Sequence, residues 1–101
     1  MSPTNLADAA PVFAALGDAT RLALVDRLST NGPLSIARLT TSSTMTRQAI
    51  TKHLHVLAGA GLVRDVRRGR ERIWELDPDR LNQARLSLEQ ISQQWMMRSD
   101  A

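Results

Sequence analysis

The chain has 101 residues, 43% of them hydrophobic and 23% charged, the mix of one ordinary globular domain. It has no cysteine, which excludes a disulfide scaffold, thiolate metal sites, a redox sensor and a cysteine nucleophile together. The formal charge is +3, but residues 47–72 hold seven basic side chains against two acids, and twelve of the 13 basic residues are arginine.

Met1-Ser2-Pro3-Thr4-Asn5 has neither a charged n-region nor an apolar h-region, so no secretory leader is expected. The longest apolar run, Ala9 to Leu16, contains a proline and is far too short to span a bilayer. A cytoplasmic protein without membrane attachment is the expectation. Residues 1–5 read as a disordered tail and 6–98 as a single domain.

Leu6, Ala9, Ala10, Phe13 and Leu16 recur at helical spacing and predict a first helix, with Pro11 near its first turn or kinking it. Asp18 is a good N-cap for a second helix with apolar positions Leu22, Leu24, Val25 and Leu28, ended by Asn31-Gly32-Pro33. Ser35 caps a short third helix carrying Ile36 and Leu39. The hydroxyl run from Thr40 to Thr44 reads as a turn. Thr46 caps a fourth helix with a buried stripe of Ile50, Leu54 and Leu57, terminated by Gly59-Ala60-Gly61.

The period then changes. Leu62 to Arg68 and Glu71 to Leu76 read as two strands around Gly69, a two-stranded hairpin. Asp77-Pro78 opens a fifth helix with apolar residues Leu81, Ala84, Leu88, Ile91 and Trp95. Their steps of 3, 4, 3, 4 describe a heptad seam, which calls for a partner helix.

The expected fold is therefore mainly α with a β-hairpin wing. Two short helices joined by a turn, the second polar outside, make a helix-turn-helix whose second helix enters the DNA major groove. That helix carries Thr46, Arg47, Gln48, Thr51, Lys52 and His55 away from its apolar stripe. Arg47 suits guanine, Gln48 adenine, and Thr51 a thymine methyl or a phosphate. A merely solvated helix face has the same look. Arg67, Arg68, Arg70 and Arg72 crowd the hairpin, suited to phosphates or a narrow minor groove. The alternative is a charged edge that discourages strand pairing.

Phe13-Ala14-Ala15-Leu16-Gly17-Asp18-Ala19-Thr20-Arg21-Leu22 resembles the opening signature of the ArsR (ArsR/SmtB) family of bacterial winged-helix repressors. Thr46 to Leu57 resembles that family's recognition helix. Ala60-Gly61-Leu62-Val63 followed by Arg67-Arg68-Gly69-Arg70-Glu71 resembles its helix-to-wing passage. The resemblance spans residues 6 to 95 and implies a five-helix winged helix-turn-helix. It implies a homodimer through the first and last helices that binds a near-palindromic double-stranded operator and represses until an effector releases it. The interface residues would be Leu6, Phe13, Leu81, Ala84, Leu88, Ile91 and Trp95.

The sequence departs from the family's metal sensors. Leu34-Ser35-Ile36-Ala37-Arg38-Leu39 has no thiol, and the last helix offers Asp77, Asp79 and Glu89 without a histidine. Oxygen ligands alone do not favour zinc, nickel or copper, so a non-metal-sensing member with no cofactor is expected. The residues identify no effector. His53 borders the buried stripe and reads as a packed, hydrogen-bonded residue, while His55 points outward. Trp74 reads as the anchor of the wing and Trp95 as part of the seam, in preference to a ligand pocket. No nucleophile–base set or phosphate loop points to an enzyme. The competing reading is a winged-helix protein-interaction module that has lost DNA binding.

Overall fold

The structure, a computed structural model, describes residues 6–41 and 43–99. The expected tail over 1–5, and Ser42 of the turn, lie outside the described residues. The elements in chain order are α1 (Leu6–Leu16), α2 (Ala19–Asn31), β1 (Leu34–Ser35), α3 (Ile36–Thr41), α4 (Arg47–Gly59), β2 (Val63–Arg68), β3 (Glu71–Leu76) and α5 (Pro78–Ser99). Among the described residues no helix is long and apolar enough to cross a membrane.

Local chemistry sets the helix boundaries. Asp18 has extended backbone and accepts from the Thr20 and Arg21 N–H groups, satisfying two donors at the start of α2. Gly32, at φ 79°, ends that helix and donates its N–H to the Leu28 carbonyl. Thr46 caps α4 through Ala49 N–H. Asp77 accepts from Asp79 N–H at the start of α5, where Pro78 has no donor to lose.

Two expectations need correction here. The hydroxyl run does not begin the turn at Thr40: α3 continues through Thr41, with the Thr40 and Thr41 hydroxyls donating back to the Ile36 and Ala37 carbonyls. The sheet is not a bare hairpin. Leu34 and Ser35 form a short strand that pairs antiparallel with Trp74 and Ile73, giving the order β1-β3-β2. Ser35 still caps α3, accepting from Arg38 N–H.

The core is one cluster. Leu39, Leu54, Leu57 and Leu62 are fully buried, with Val12, Leu24, Val25, Leu28, Ile50, Val63 and Trp74 around them. Burying each such side chain stabilises the fold by roughly 1.5–3 kcal/mol. The inward face of α1 is Ala9, Val12 and Ala15, whereas Leu6 is exposed and Phe13 and Leu16 half-buried. Leu22, one of the apolar positions of α2, is exposed, while Leu24, Val25 and Leu28 fill the inward face of that helix.

The fifth helix divides in two. Its first half packs on α1 and buries Ala84 and Ser87. From Leu88 to Arg98 every residue is exposed. Gly61 lies where α4 passes into β2, at φ 78°, and a Cβ there would come within 2.8 Å of Arg80 Cγ. Glycine is required on both counts.

Candidate nucleic-acid interface

The helix-turn-helix unit is α3 and α4, held on α2. Arg27 of α2 donates to the Leu39 and Arg38 carbonyls at 2.8 and 2.7 Å, closing the carboxyl end of α3. Ile50, Leu54 and Leu57 anchor α4 in the core, which fixes its other faces outward.

Thr46, Arg47, Gln48, Lys52 and His55 are exposed on α4, and Thr51 is half-buried. Arg47 and Lys52 make no ion pair among the described residues. Gln48 is likewise open to solvent, where its amide can read a base edge. Thr51 donates its hydroxyl proton to the Arg47 carbonyl at 2.8 Å. Its methyl and its lone pairs remain for a thymine or a donor, but the expected phosphate contact would require that proton. His55 is exposed, yet its ring lies 5.9 Å from the Trp74 ring at 54°. It links α4 to the sheet as well as facing outward. Trp74 is buried, in keeping with its expected role as the wing's anchor.

The hairpin turn places Gly69 at φ 61°, the positive φ that a two-residue hairpin loop requires. The register puts Val63 opposite Leu76, Asp65 opposite Trp74 and Arg67 opposite Arg72. Directly opposed residues share a face, so the face on which Trp74 meets α4 carries Arg67 and Arg72 farther out. Two arginines directly opposed repel. Asp65, diagonal to Arg72, relieves this with an ion pair at 3.1 Å. Arg72 therefore departs from the expectation of a free cation. Arg64 is similarly held, by Glu75 at 3.3 Å and Asp77 at 3.9 Å. Arg67, Arg68 and Arg70 make no ion pair among the described residues and are exposed.

The seam residues separate as well. Leu6, Leu88, Ile91 and Trp95 are 58, 55, 47 and 68% exposed. Leu81 is half-buried, and it lines an open groove of about 510 Å³ with Phe13, Leu16 and Leu88. Ala84 is the exception. It is 2% exposed in the single chain, buried against its own fold in the half of α5 that packs on α1.

Sequence reasoning placed His53 as a packed residue but found no partner for it. The partner is Arg21, whose Nη1 lies 3.5 Å from His53 Nδ1. Arg21 also donates from Nε to the Ala15 carbonyl at 2.6 Å. Its backbone N–H, more than anything else, holds the Asp18 carboxyl below its ordinary value. Desolvation opposes this, and the Thr20 N–H and the charge of Arg21 add to it. The link joins residues 32 apart, and no local pattern announces it.

Helices in this arrangement, with an arginine-bearing hairpin beside the second helix of the pair, define a winged helix-turn-helix protein. Comparison with known proteins agrees. The family described as a helix-turn-helix domain matches residues 16–66. The HTH-type transcriptional regulator Rv2034 of Mycobacterium tuberculosis is 41% identical over 77 residues, spanning 76% of this chain and 71% of that protein. An ArsR-like transcriptional regulator from Rhodococcus sp. RHA1 is 38% identical with a TM-score of 0.81, covering 93% of this chain and 88% of that one. The homodimeric winged helix-turn-helix DNA-binding domain Mb0332 from Mycobacterium bovis shares the fold at a TM-score of 0.69 and 23% identity, covering 93% of this chain and 91% of that one. The chain belongs to the helix-turn-helix transcriptional regulators, of the ArsR-like winged type. It is a DNA-binding regulator and not an enzyme.

Proposed function

We propose that this protein is a cytoplasmic bacterial homodimer that represses its own or a neighbouring operon from a near-palindromic operator. Residues 6–98 act as one DNA-binding domain. In each subunit α4 lies in the major groove, with Arg47 and Gln48 reading base edges and Lys52 and His55 meeting the backbone. Arg67, Arg68 and Arg70 follow phosphates or enter the minor groove. Two subunits join through Leu6, Phe13, Leu81, Leu88, Ile91 and Trp95. The observation that carries this is the pairing of two unlike exposed surfaces. One is a cationic face on α4 and the wing, whose arginines Arg47, Arg67, Arg68 and Arg70 lack counterions among the described residues. The other is an apolar seam along α1 and α5. A dimer about a two-fold axis would present two α4 helices to two half-sites.

Fluorescence anisotropy on DNA from upstream of the protein's own gene tests this, with a scrambled duplex as control at two salt concentrations. Tight, salt-sensitive binding to the upstream duplex alone is expected. Equal weak binding to both would move the target elsewhere in the genome. No binding to either at low salt would overturn the reading in favour of a protein-interaction module.

A further inference from the structure

We infer that Arg21, a residue of α2 outside the DNA-facing surface, is a positioning residue for the recognition helix and acts through His53. This rests on the reading of α4 as the helix that reads DNA.

Arg21 is well placed to do this. Its side chain is only 19% exposed. It meets three elements at once: Nε donates to the Ala15 carbonyl in the last turn of α1, Nη1 lies 4.0 Å from Asp18 Oδ2 at the start of α2, and Nη1 faces His53 Nδ1 on α4. The α1 carbonyl is one of the last four of its helix, which have no partner within it and attract a cation. The guanidinium is planar and pre-organised, so fixing Nε on α1 also fixes where Nη1 points. Lysine carries all its donors on one nitrogen and lacks the rigid fork that reaches two separated acceptors at once.

On α4, His53 and His55 are two residues apart and therefore splay by about 160° around the helix. His53 faces Arg21 on the α2 side, and His55 faces Trp74 on the sheet side. The core stripe of Ile50, Leu54 and Leu57 sets the depth of α4 and which faces point outward, and contacts on its flanks set the finer roll. The two histidine contacts, on opposite flanks, hold that roll. Base readout depends on it: Arg47 and Gln48 diverge by about 100° around the helix, so a small roll takes both off their base edges. Phosphate contacts by flexible arginines are far less sensitive.

The chemistry makes a further demand. An arginine only donates, so His53 must accept at Nδ1 and carry its proton on Nε2. Asp18 offers its own Oδ2 to Arg21, leaving the imidazole nitrogen as the acceptor on α4.

Two experiments test the inference. Long-range ¹H–¹⁵N spectra of the full chain at neutral pH should show His53 as the Nε2–H tautomer with Nδ1 unprotonated. An Nδ1–H tautomer would overturn the contact itself, whatever the DNA data. Binding to the upstream duplex and to the scrambled duplex is then compared for wild type, Arg21→Lys, His53→Leu and His53→Gln. The ratio of the two affinities should fall by about tenfold, the equivalent of ~1.4 kcal/mol, in Arg21→Lys and His53→Leu. Scrambled-duplex affinity and its salt slope should hold. His53→Gln, whose amide oxygen accepts, should keep most of the ratio. A sample that had partly unfolded would lose both kinds of binding in proportion, so the ratio separates positioning from folding. Unchanged ratios in Arg21→Lys and His53→Leu would overturn the inference alone, as would equal loss in the leucine and glutamine variants. A wild-type protein that bound no DNA would overturn the proposed function, and this inference with it.

Discussion

The ion pairs of the wing make a prediction with opposite signs for two neighbouring changes. Arg70 stands at the hairpin turn without a counterion among the described residues, whereas Arg72 is held by Asp65 at 3.1 Å. A cation that displaces counterions from DNA contributes about −0.9 to the slope of log K against log salt for each phosphate neutralised. Arg70→Ala removes one such charge from each subunit of a dimer. The slope should become shallower by about 1.8. Between 50 and 200 mM salt, a fourfold change, the affinity gap between variant and wild type should then close by about twelvefold. Asp65→Asn should act the other way. It frees Arg72 without adding a positive residue, and should steepen the slope by up to about 1.8 while tightening binding at low salt. Both variants lie on the exposed hairpin, so stability should change little. Fluorescence anisotropy over a salt series on specific and scrambled duplexes gives both slopes. Equal slopes for Asp65→Asn and wild type, with Arg70→Ala also unchanged, would show that the wing does not touch phosphate.

Three further outcomes follow from the same arrangement. Arg47→Ala or Gln48→Ala should relax sequence choice, by about 1–3 kcal/mol for each bidentate base pairing removed, in a competition against single-base operator variants. Leu88→Glu or Ile91→Glu should give a monomer in sedimentation, since each would bury an unpaired charge at both sides of a two-fold seam; a variant that stays dimeric refutes the seam. Asp18→Asn keeps a capping side chain but loses the charge. Because the folded carboxyl is held below its ordinary value, its ionisation stabilises the fold fully above the unfolded value and ceases to do so as pH falls through the folded one. The variant should therefore be less stable than wild type near neutrality, and the difference should vanish in acid. Thermal melts across that range check the sign.

Helix boundaries were largely legible because single residues govern them. Asp18, Thr46, Gly32 and Pro78 each act through a local rule, and each sits at the end its chemistry marks. The missed features are of two kinds. Some are too short to have a period: Leu34 and Ser35 become a strand only because β3 offers a free edge. Thr40 and Thr41 suit a turn or a helix end, and here α3 runs through both, which their residue types alone do not decide. Others are pairings across the chain. Arg72 and His55 look like free side chains on the polar side of their elements. Their engagement with Asp65 and Trp74 depends on strand register and on how β3 lies against α4. Along the chain Arg21 is one letter of a signature, and its role emerges only when α1, α2 and α4 are brought together.

The heptad on the last helix shows how one pattern can serve two tasks. Along the chain, Leu81, Ala84, Leu88, Ile91 and Trp95 form one seam. In three dimensions the seam is divided by its contact with α1: Ala84 is buried within the chain, and Leu88, Ile91 and Trp95 are not. The division follows from position along α5, whose first half packs on α1 while every residue from Leu88 to Arg98 is exposed. A dimer through the exposed half would continue the protomer's own α1–α5 packing, and subunit geometry and the setting of α1 would then be linked. Since Arg21 grips the end of α1 and faces His53 on α4, a shift of α1 at the subunit interface would reach the DNA-reading helix through one guanidinium. The exposed seam and the arginine would then act in series, yet their failures should differ. A substitution at Leu88 that weakens the dimer should lower binding to both duplexes, whereas Arg21→Lys should lower only the preference between them.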